Sequence, residues 1–270
     1  MNLATAAQSS IGRKLISGLT GLLLVGFVIG HLTGNFLLLV GPEAFNNYAY
    51  FLEHLFHGAG LIIAEVGLIV LFLSHAWSGY QVWNNKWKAR QKGYEMPGDA
   101  GGKSKKSVSS TTMLWSGILL LAFVVWHVAQ FKFGIIDTGN RDVVVDGVEM
   151  RNLYGIVIDT FAQPLWTGIY VIIMTALGFH LWHGAWSAFQ SMGLANDLYL
   201  PTITKVAHAL AAVLAVGFIL LPTYIFINRG PLGEISKQYE SQYGVNKSNE
   251  TSGDMIYRTV SGLMSAEKGA

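Results

Sequence analysis

Not one cysteine occurs among the 270 residues. Without thiols there is no disulfide, no thiolate iron–sulfur cluster and no covalent c-type haem, which needs Cys-x-x-Cys-His. Any metal must be held by histidine, carboxylate or methionine. Charge is scarce as well: Asp, Glu, Lys and Arg make up 13% of the chain, against 51% hydrophobic residues. The charges collect outside a few long apolar runs, which excludes an ordinary soluble domain. A glycine-rich nucleotide-binding motif is also missing.

What is present is a membrane pattern. Five apolar runs, at about 15–40, 58–83, 113–133, 164–189 and 203–227, each reach or exceed the ~20 residues that a helix needs to cross hydrocarbon. Unbroken runs of this length are helices, because only helices and closed barrels satisfy their backbone in lipid. The first run is too long for the apolar core of a signal peptide and is expected to be retained. The expected fold is therefore an all-α integral membrane protein of five transmembrane helices, with a membrane domain over 1–228 and a weakly ordered polar extension over 229–270.

Charge asymmetry orients the spans. Arg13 and Lys14 precede the first, and seven Lys or Arg fill the link between the second and third, from Lys86 to Lys106, whereas the link before it has none. By the positive-inside rule the N-terminus and the basic link are cytoplasmic, and five crossings put the C-terminus outside. The 86–112 stretch, rich in Gly, Lys and Ser, reads as a mobile loop. In the next link, Val143 to Val148 with Asp146-Gly147 at its centre predicts a small hairpin.

Histidines inside the spans carry the chemistry. An ionisable ring at that depth is costly unless something occupies it. His31, His75, His127 and His180 lie roughly 21–26 Å along the first four helices, counted at ~1.5 Å per residue. Because successive helices run in opposite directions, His31 and His127 fall near the outer face, and His75 and His180 near the inner face. Two imidazoles at one depth can hold a six-coordinate haem iron from above and below. Lacking cysteine, the haem would be b-type, so the first four helices are expected to form a haem-binding bundle carrying two haem b, roughly 15–20 Å apart along the normal of a ~30 Å core. Gly79 and Gly184 follow their histidines by one turn, and Gly26, Gly30 and Gly34 form a stripe in the first helix; such positions remove bulk where a porphyrin packs. His183 and His208 also fall near the inner level, as alternative ligands in place of His180 or His75 or as partners of a haem propionate. His54 and His57 lie at the outer surface.

The motifs Gly30-His31-Leu32-Thr33-Gly34-Asn35, Phe45-Asn46-Asn47-Tyr48-Ala49, His75 with Gly79, and Gly178 to Gly184 give the chain, from about Ile11 to Asn228, a resemblance to a known family. It resembles the single-subunit dihaem cytochrome b558 anchor of the succinate:quinone oxidoreductases, the complex II family of succinate dehydrogenases and quinol:fumarate reductases. The resemblance maps the axial ligands onto His31 with His127 and His75 with His180. It implies electron transport in a bacterial cytoplasmic (inner) membrane, linking the tricarboxylic acid cycle or fumarate respiration to a quinone, usually menaquinone. It also implies two partner subunits on the cytoplasmic side: an FAD-containing flavoprotein that interconverts succinate and fumarate, and an iron–sulfur protein. A carboxylate after the first helix serves quinone proton exchange in some members, and Glu53 is the closest match. Glu65, inside the second helix near the outer haem level, is the rival. Two other classes remain open: a dihaem cytochrome b of another quinone-linked dehydrogenase, such as a hydrogenase, and a histidine-rich membrane di-iron oxygenase.

Overall fold

A computed structural model describes residues 8–88, 108–135, 141–194 and 196–245. The basic link beyond Lys88 and the tail beyond 245 lie outside the described residues. Five helices are long and apolar enough to cross a bilayer. They are α1 (Ser10–Asn35), α3 (Ala59–Lys88), α4 (Met113–Phe131), α6 (Pro164–Ser191) and α7 (Leu200–Ile227). Helix α1 starts earlier than its hydropathy suggests, because the Ser9 hydroxyl caps it by accepting from the Gly12 amide at 3.0 Å. A 3₁₀ turn, Phe36–Leu39, follows it. Pro164 and Pro201 sit in the first turns of α6 and α7, where their missing N–H costs nothing. Hydroxyls inside the spans bond back to their own helix, as Thr20 does to the Ile16 carbonyl at 2.6 Å and Ser78 to Ser74 at 2.7 Å.

Packing arranges α1, α3, α4 and α6 in a ring: α1 lies against α3 and α6, and α4 against α6 and, more loosely, α3. The two diagonals, α1 with α4 and α3 with α6, have no comparable backbone approach. Helix α7 braces the outside of the ring, most extensively along α6. Small residues make these contacts close. A Cβ on Gly178 would stand 2.8 Å from the Ala215 methyl, one on Gly217 2.7 Å from Leu32, and one on Gly18 3.0 Å from the Ala188 carbonyl. In lipid, where apolar burial gives no net drive, such close approach is what holds helices together. Ile63, Val66, Ile69, Val70 and Leu73 of α3 are exposed, as a lipid-facing helix requires.

One end of the ring carries a folded cap, which the hydropathy pattern does not foretell. It consists of α2 (Pro42–His54), the hairpin β1 (Asp142–Val145) and β2 (Val148–Arg151), α5 (Leu153–Ala162) and α8 (Arg229–Tyr243). The hairpin turns on Asp146 and Gly147, both at positive φ, in the register expected of an Asp-Gly turn. Pro42 opens α2 in its first turn. The expectation of a weakly ordered extension from 229 does not hold over 229–243: α8 docks on α5, with Ser236 and Tyr239 buried. The segment is mostly polar, and the stripe that it turns to the cap is thin: Leu232, Tyr239 and Tyr243, with Ser236 between them.

Two fully buried asparagines hold the pieces together. Asn46 of α2 donates to Asn152 Oδ1 at 2.9 Å and accepts from the Tyr154 amide at 2.9 Å. Asn152 also accepts from the Gly155 amide at 3.1 Å and donates to Glu240 Oε1 of α8 at 3.0 Å. Arg151 closes the cap onto α4 by donating to the Phe131 carbonyl at 2.6 Å. Burial raises the hydroxyls of Tyr154 and Tyr239 above the ordinary phenol range. Their contribution to stability is present below the unfolded-state phenol value of about 10 and is lost as pH rises beyond it.

Asn152→Ala strands Asn46 Nδ2 in a dry site and removes the tie to α8. The expected cost is about 1–3 kcal/mol, read as a lower melting temperature in detergent together with faster amide exchange across α8. Unchanged exchange in α8 would show that the asparagine pair does not anchor the helix.

Candidate functional site

The diagonals of the ring bring four histidines into two facing pairs. His31 of α1 meets His127 of α4 with ring centroids 5.7 Å apart and planes at 90°. His75 of α3 meets His180 of α6 at 6.3 Å and 72°. The first pair lies on the cap side and the second on the side of the basic link. Each pair spans helices without comparable backbone approach, so the imidazoles reach across the interior to meet.

Spacing along the helices fixes the distance between the two levels. On α1, Gly21 lies against the His75 ring and precedes His31 by ten residues; on α4, Gly117 lies against the His180 ring and precedes His127 by ten. On α6, Tyr170 bonds His127 and precedes His180 by ten. Ten residues at 1.5 Å each put the levels about 15 Å apart. Glu65 precedes His75 by the same ten residues, which places it at the cap-side level on α3.

Hydrogen bonds decide which ring nitrogen of three histidines carries the proton. His75 Nδ1 lies 3.1 Å from the Ser17 carbonyl, which can only accept, so Nδ1 is protonated. His180 Nδ1 lies 3.0 Å from the Ser116 hydroxyl, and that hydroxyl spends its hydrogen on the Met113 carbonyl at 3.1 Å. His127 Nδ1 lies 3.1 Å from the Tyr170 hydroxyl, which donates to Gln130 Oε1 at 2.9 Å. The Ser17 carbonyl fixes His75 as a donor from Nδ1 with a bare lone pair on Nε2, and the other acceptors open to the Ser116 and Tyr170 hydroxyls favour the same tautomer at His180 and His127. This is the state that neighbouring acceptors impose on metal-binding histidines. His31 has no hydrogen bond among the described residues; it is held by stacking on Phe27 at 5.5 Å and on Phe218 at 5.9 Å.

A pair of such rings is electrostatically incomplete. His75 and His180 both present acceptors, and neither Nε2 has a hydrogen to give the other. An electrophile between them resolves this, and the geometry is right for one: two imidazoles bound to one ion from opposite sides have ring centres about 6.2–6.5 Å apart, given metal–nitrogen distances of ~2.0–2.1 Å.

The remaining expected residues fall in different places. Gly79 and Gly184 stay close to their histidines; a Cβ on Gly79 would meet only Ser17 Oγ, at 4.0 Å, and one on Gly184 would meet the Met113 methyl at 3.0 Å. Gly34 makes room for Tyr48 of α2, whose ring would lie 2.6 Å from an added Cβ. Gly26 and Gly30 are exposed, with open space beside them. His183 stands edge-on to Trp186 at 5.2 Å, and His208 stacks on Trp182 at 4.0 Å; neither ring contact is with a pair histidine. Glu53 is exposed near the end of α2, and Glu65 forms an ion pair with Lys132. His54 stacks on Tyr50 at 3.8 Å and is exposed, as is His57. Ser17, Gly21, Ser116, Gly117 and Tyr170 were not expected from the sequence, although the shared ten-residue step to a histidine would have pointed to three of them.

No protein-family model, curated protein or solved structure matches the chain. Gly21→Leu is expected to force the His75 ring aside and cost about 1–3 kcal/mol as overpacking does, whereas Gly26→Leu, into open space, should stay within ~0.5 kcal/mol. Thermal unfolding in detergent compares the two; equal losses would contradict the close approach of α1 to His75.

Proposed function

We propose that the chain is a dihaem cytochrome b, the membrane anchor of a succinate:quinone oxidoreductase. In this reading His31 with His127, and His75 with His180, would hold two haem b. The observation that carries the reading is the pair of facing imidazoles at each of two levels, with Nε2 lone pairs on His75, His127 and His180 that have no other partner among the described residues. The separation of about 15 Å between levels supports electron passage between two centres rather than storage at one. A haem at each level supplies a reversible one-electron couple.

The chain's own residues then have definite tasks. Ser17, Ser116 and Tyr170 hold the rings in the metal-binding tautomer and make them better donors. Phe123, Phe131 and Phe161 surround Tyr170 and His127, with ring centroids 4.9–6.2 Å apart, and exclude water from the cap-side pair. Gly21 and Gly117 let neighbouring helices close on the link-side rings. The basic link end faces the cytoplasm in this reading and receives the iron–sulfur subunit and its flavoprotein, on which succinate and fumarate chemistry takes place. Menaquinone is the electron partner at the cap-side level. Glu53, and Glu65 as its rival, exchange the protons that accompany quinone reduction or quinol oxidation; a carboxylate at the membrane edge can reach both water and a quinone oxygen.

A reduced-minus-oxidised visible spectrum of the purified chain with a haem assay tests the central claim. Two protohaems per chain are expected, and none would end the proposal. His75→Ala should lower the count to one while the cap-side centre persists. In the assembled complex, Glu53→Gln or Glu65→Gln should cut quinone-linked turnover by about 10²-fold or more, as loss of a proton-transfer group does; full turnover in both would remove carboxylate proton exchange from the mechanism.

A further inference from the structure

Among the described residues, three buried side-chain polar atoms lack a hydrogen-bond partner: Arg13 Nε, Gln130 Nε2 and the Tyr239 hydroxyl. Tyr239 belongs to the cap core. The other two are donors, and each lies outboard of one histidine pair. Gln130 is 2% exposed and follows His127 by three residues, towards the cap. Its Oε1 is committed to the Tyr170 hydroxyl, so the amide hydrogens are what it has left to offer. Arg13 precedes Ser17, the acceptor for His75, by four residues on the same face of α1, about 6 Å further towards the link end. One of its terminal nitrogens reaches Asn85 Oδ1 at 3.4 Å, and its Nε–H points to no acceptor.

A buried N–H without an acceptor is destabilising, and more so on a guanidinium. Two such donors, one beyond each pair, call for two acceptors. We propose that Arg13 and Gln130 are the donors that hold the propionate carboxylates of the two haems, Arg13 at the link-side pair and Gln130 at the cap-side pair. The inference rests on the reading that haem b binds at both pairs. Propionates are the polar edge of protohaem, and a carboxylate accepts readily from a guanidinium or an amide. His183 and His208, the candidates that the sequence suggested for this role, instead have Trp186 and Trp182 as their ring partners.

The two donors differ in charge, which makes their effects separable. A guanidinium near a haem edge favours the ferrous form, so its loss lowers the midpoint potential of that haem alone. An amide is neutral and its loss moves the other haem by less. The test is a potentiometric titration of the purified full-length chain, followed by the visible spectrum, with the haem count measured in parallel. Arg13→Gln is expected to shift one of the two midpoints downward and leave the other in place, with Arg13→Lys recovering part of the shift. Gln130→Leu is expected to move only the midpoint that Arg13→Gln left alone. Loss of one haem with the other unperturbed supports the same assignment. Unmoved midpoints with two haems bound, or equal movement of both by one substitution, overturn it. If Arg13→Gln binds no haem, Arg13→Lys is judged by the same criterion. A wild-type chain without haem would instead remove the underlying function, so the two failures are distinct.

Discussion

The hydrogen bonds donated from Nδ1 by His75, His127 and His180 are the interactions on which the rest of the site depends. Each fixes a tautomer, each aims a ring, and each leaves Nε2 as an acceptor in surroundings that offer no donor. In water such an acceptor would find a partner at once. Between apolar helices it has none among the described residues, and two of them opposed are costly without a partner. The polar groups that set this up are few and sit on neighbouring elements: a backbone carbonyl on α1, a hydroxyl on α4 and a phenol on α6.

The bundle geometry follows from the same need. Side chains that face one another across the interior do not come from helices that touch. They come from the diagonals of the ring, while contacts between adjacent helices supply the cohesion. Glycine and alanine serve both purposes. At Gly178, Gly217 and Gly18 they let backbones meet, and at Gly21 and Gly117 they let a helix close on an imidazole without displacing it. The fifth crossing, α7, adds no pair histidine and acts as a brace along α6, with Leu32 of α1 seated against its Gly217.

At one end, three stretches far apart in sequence, α2, the hairpin with α5, and α8, fold into a cap over the histidine pair on that side. Its core joins α2, α5 and the ends of the spans through Leu38, Phe45, Tyr154, Ile158, Phe161 and Ile225. The buried asparagine pair adds register, since only one docking of α2, α5 and α8 satisfies all of its hydrogen bonds. Tyr170 belongs both to this core and to the support of His127, so cap packing and the orientation of a site histidine are mechanically linked.

Hydropathy by itself determined the five spans, because a helix in lipid must be long, apolar and internally bonded, and nothing in tertiary structure can relax that. Helical rise and alternating direction were enough to sort His31 with His127 and His75 with His180, since depth in a membrane is nearly a one-dimensional quantity. The Asp146-Gly147 turn was legible for a similarly local reason: only a few residue pairs accept positive φ in succession. Tertiary structure alone decided the rest. Whether Gly34 faces a site or Tyr48, whether His208 reaches the interior or stacks on Trp182, and which hydroxyl meets which imidazole all depend on helix rotation about its own axis, and near-uniform apolarity leaves that rotation unmarked in the sequence. Helix α8 was hidden for the opposite reason, because its apolar stripe of Leu232, Tyr239 and Tyr243 is thin within a polar segment and its tie through Glu240 acquires meaning only once Asn46 and Asn152 have been brought together.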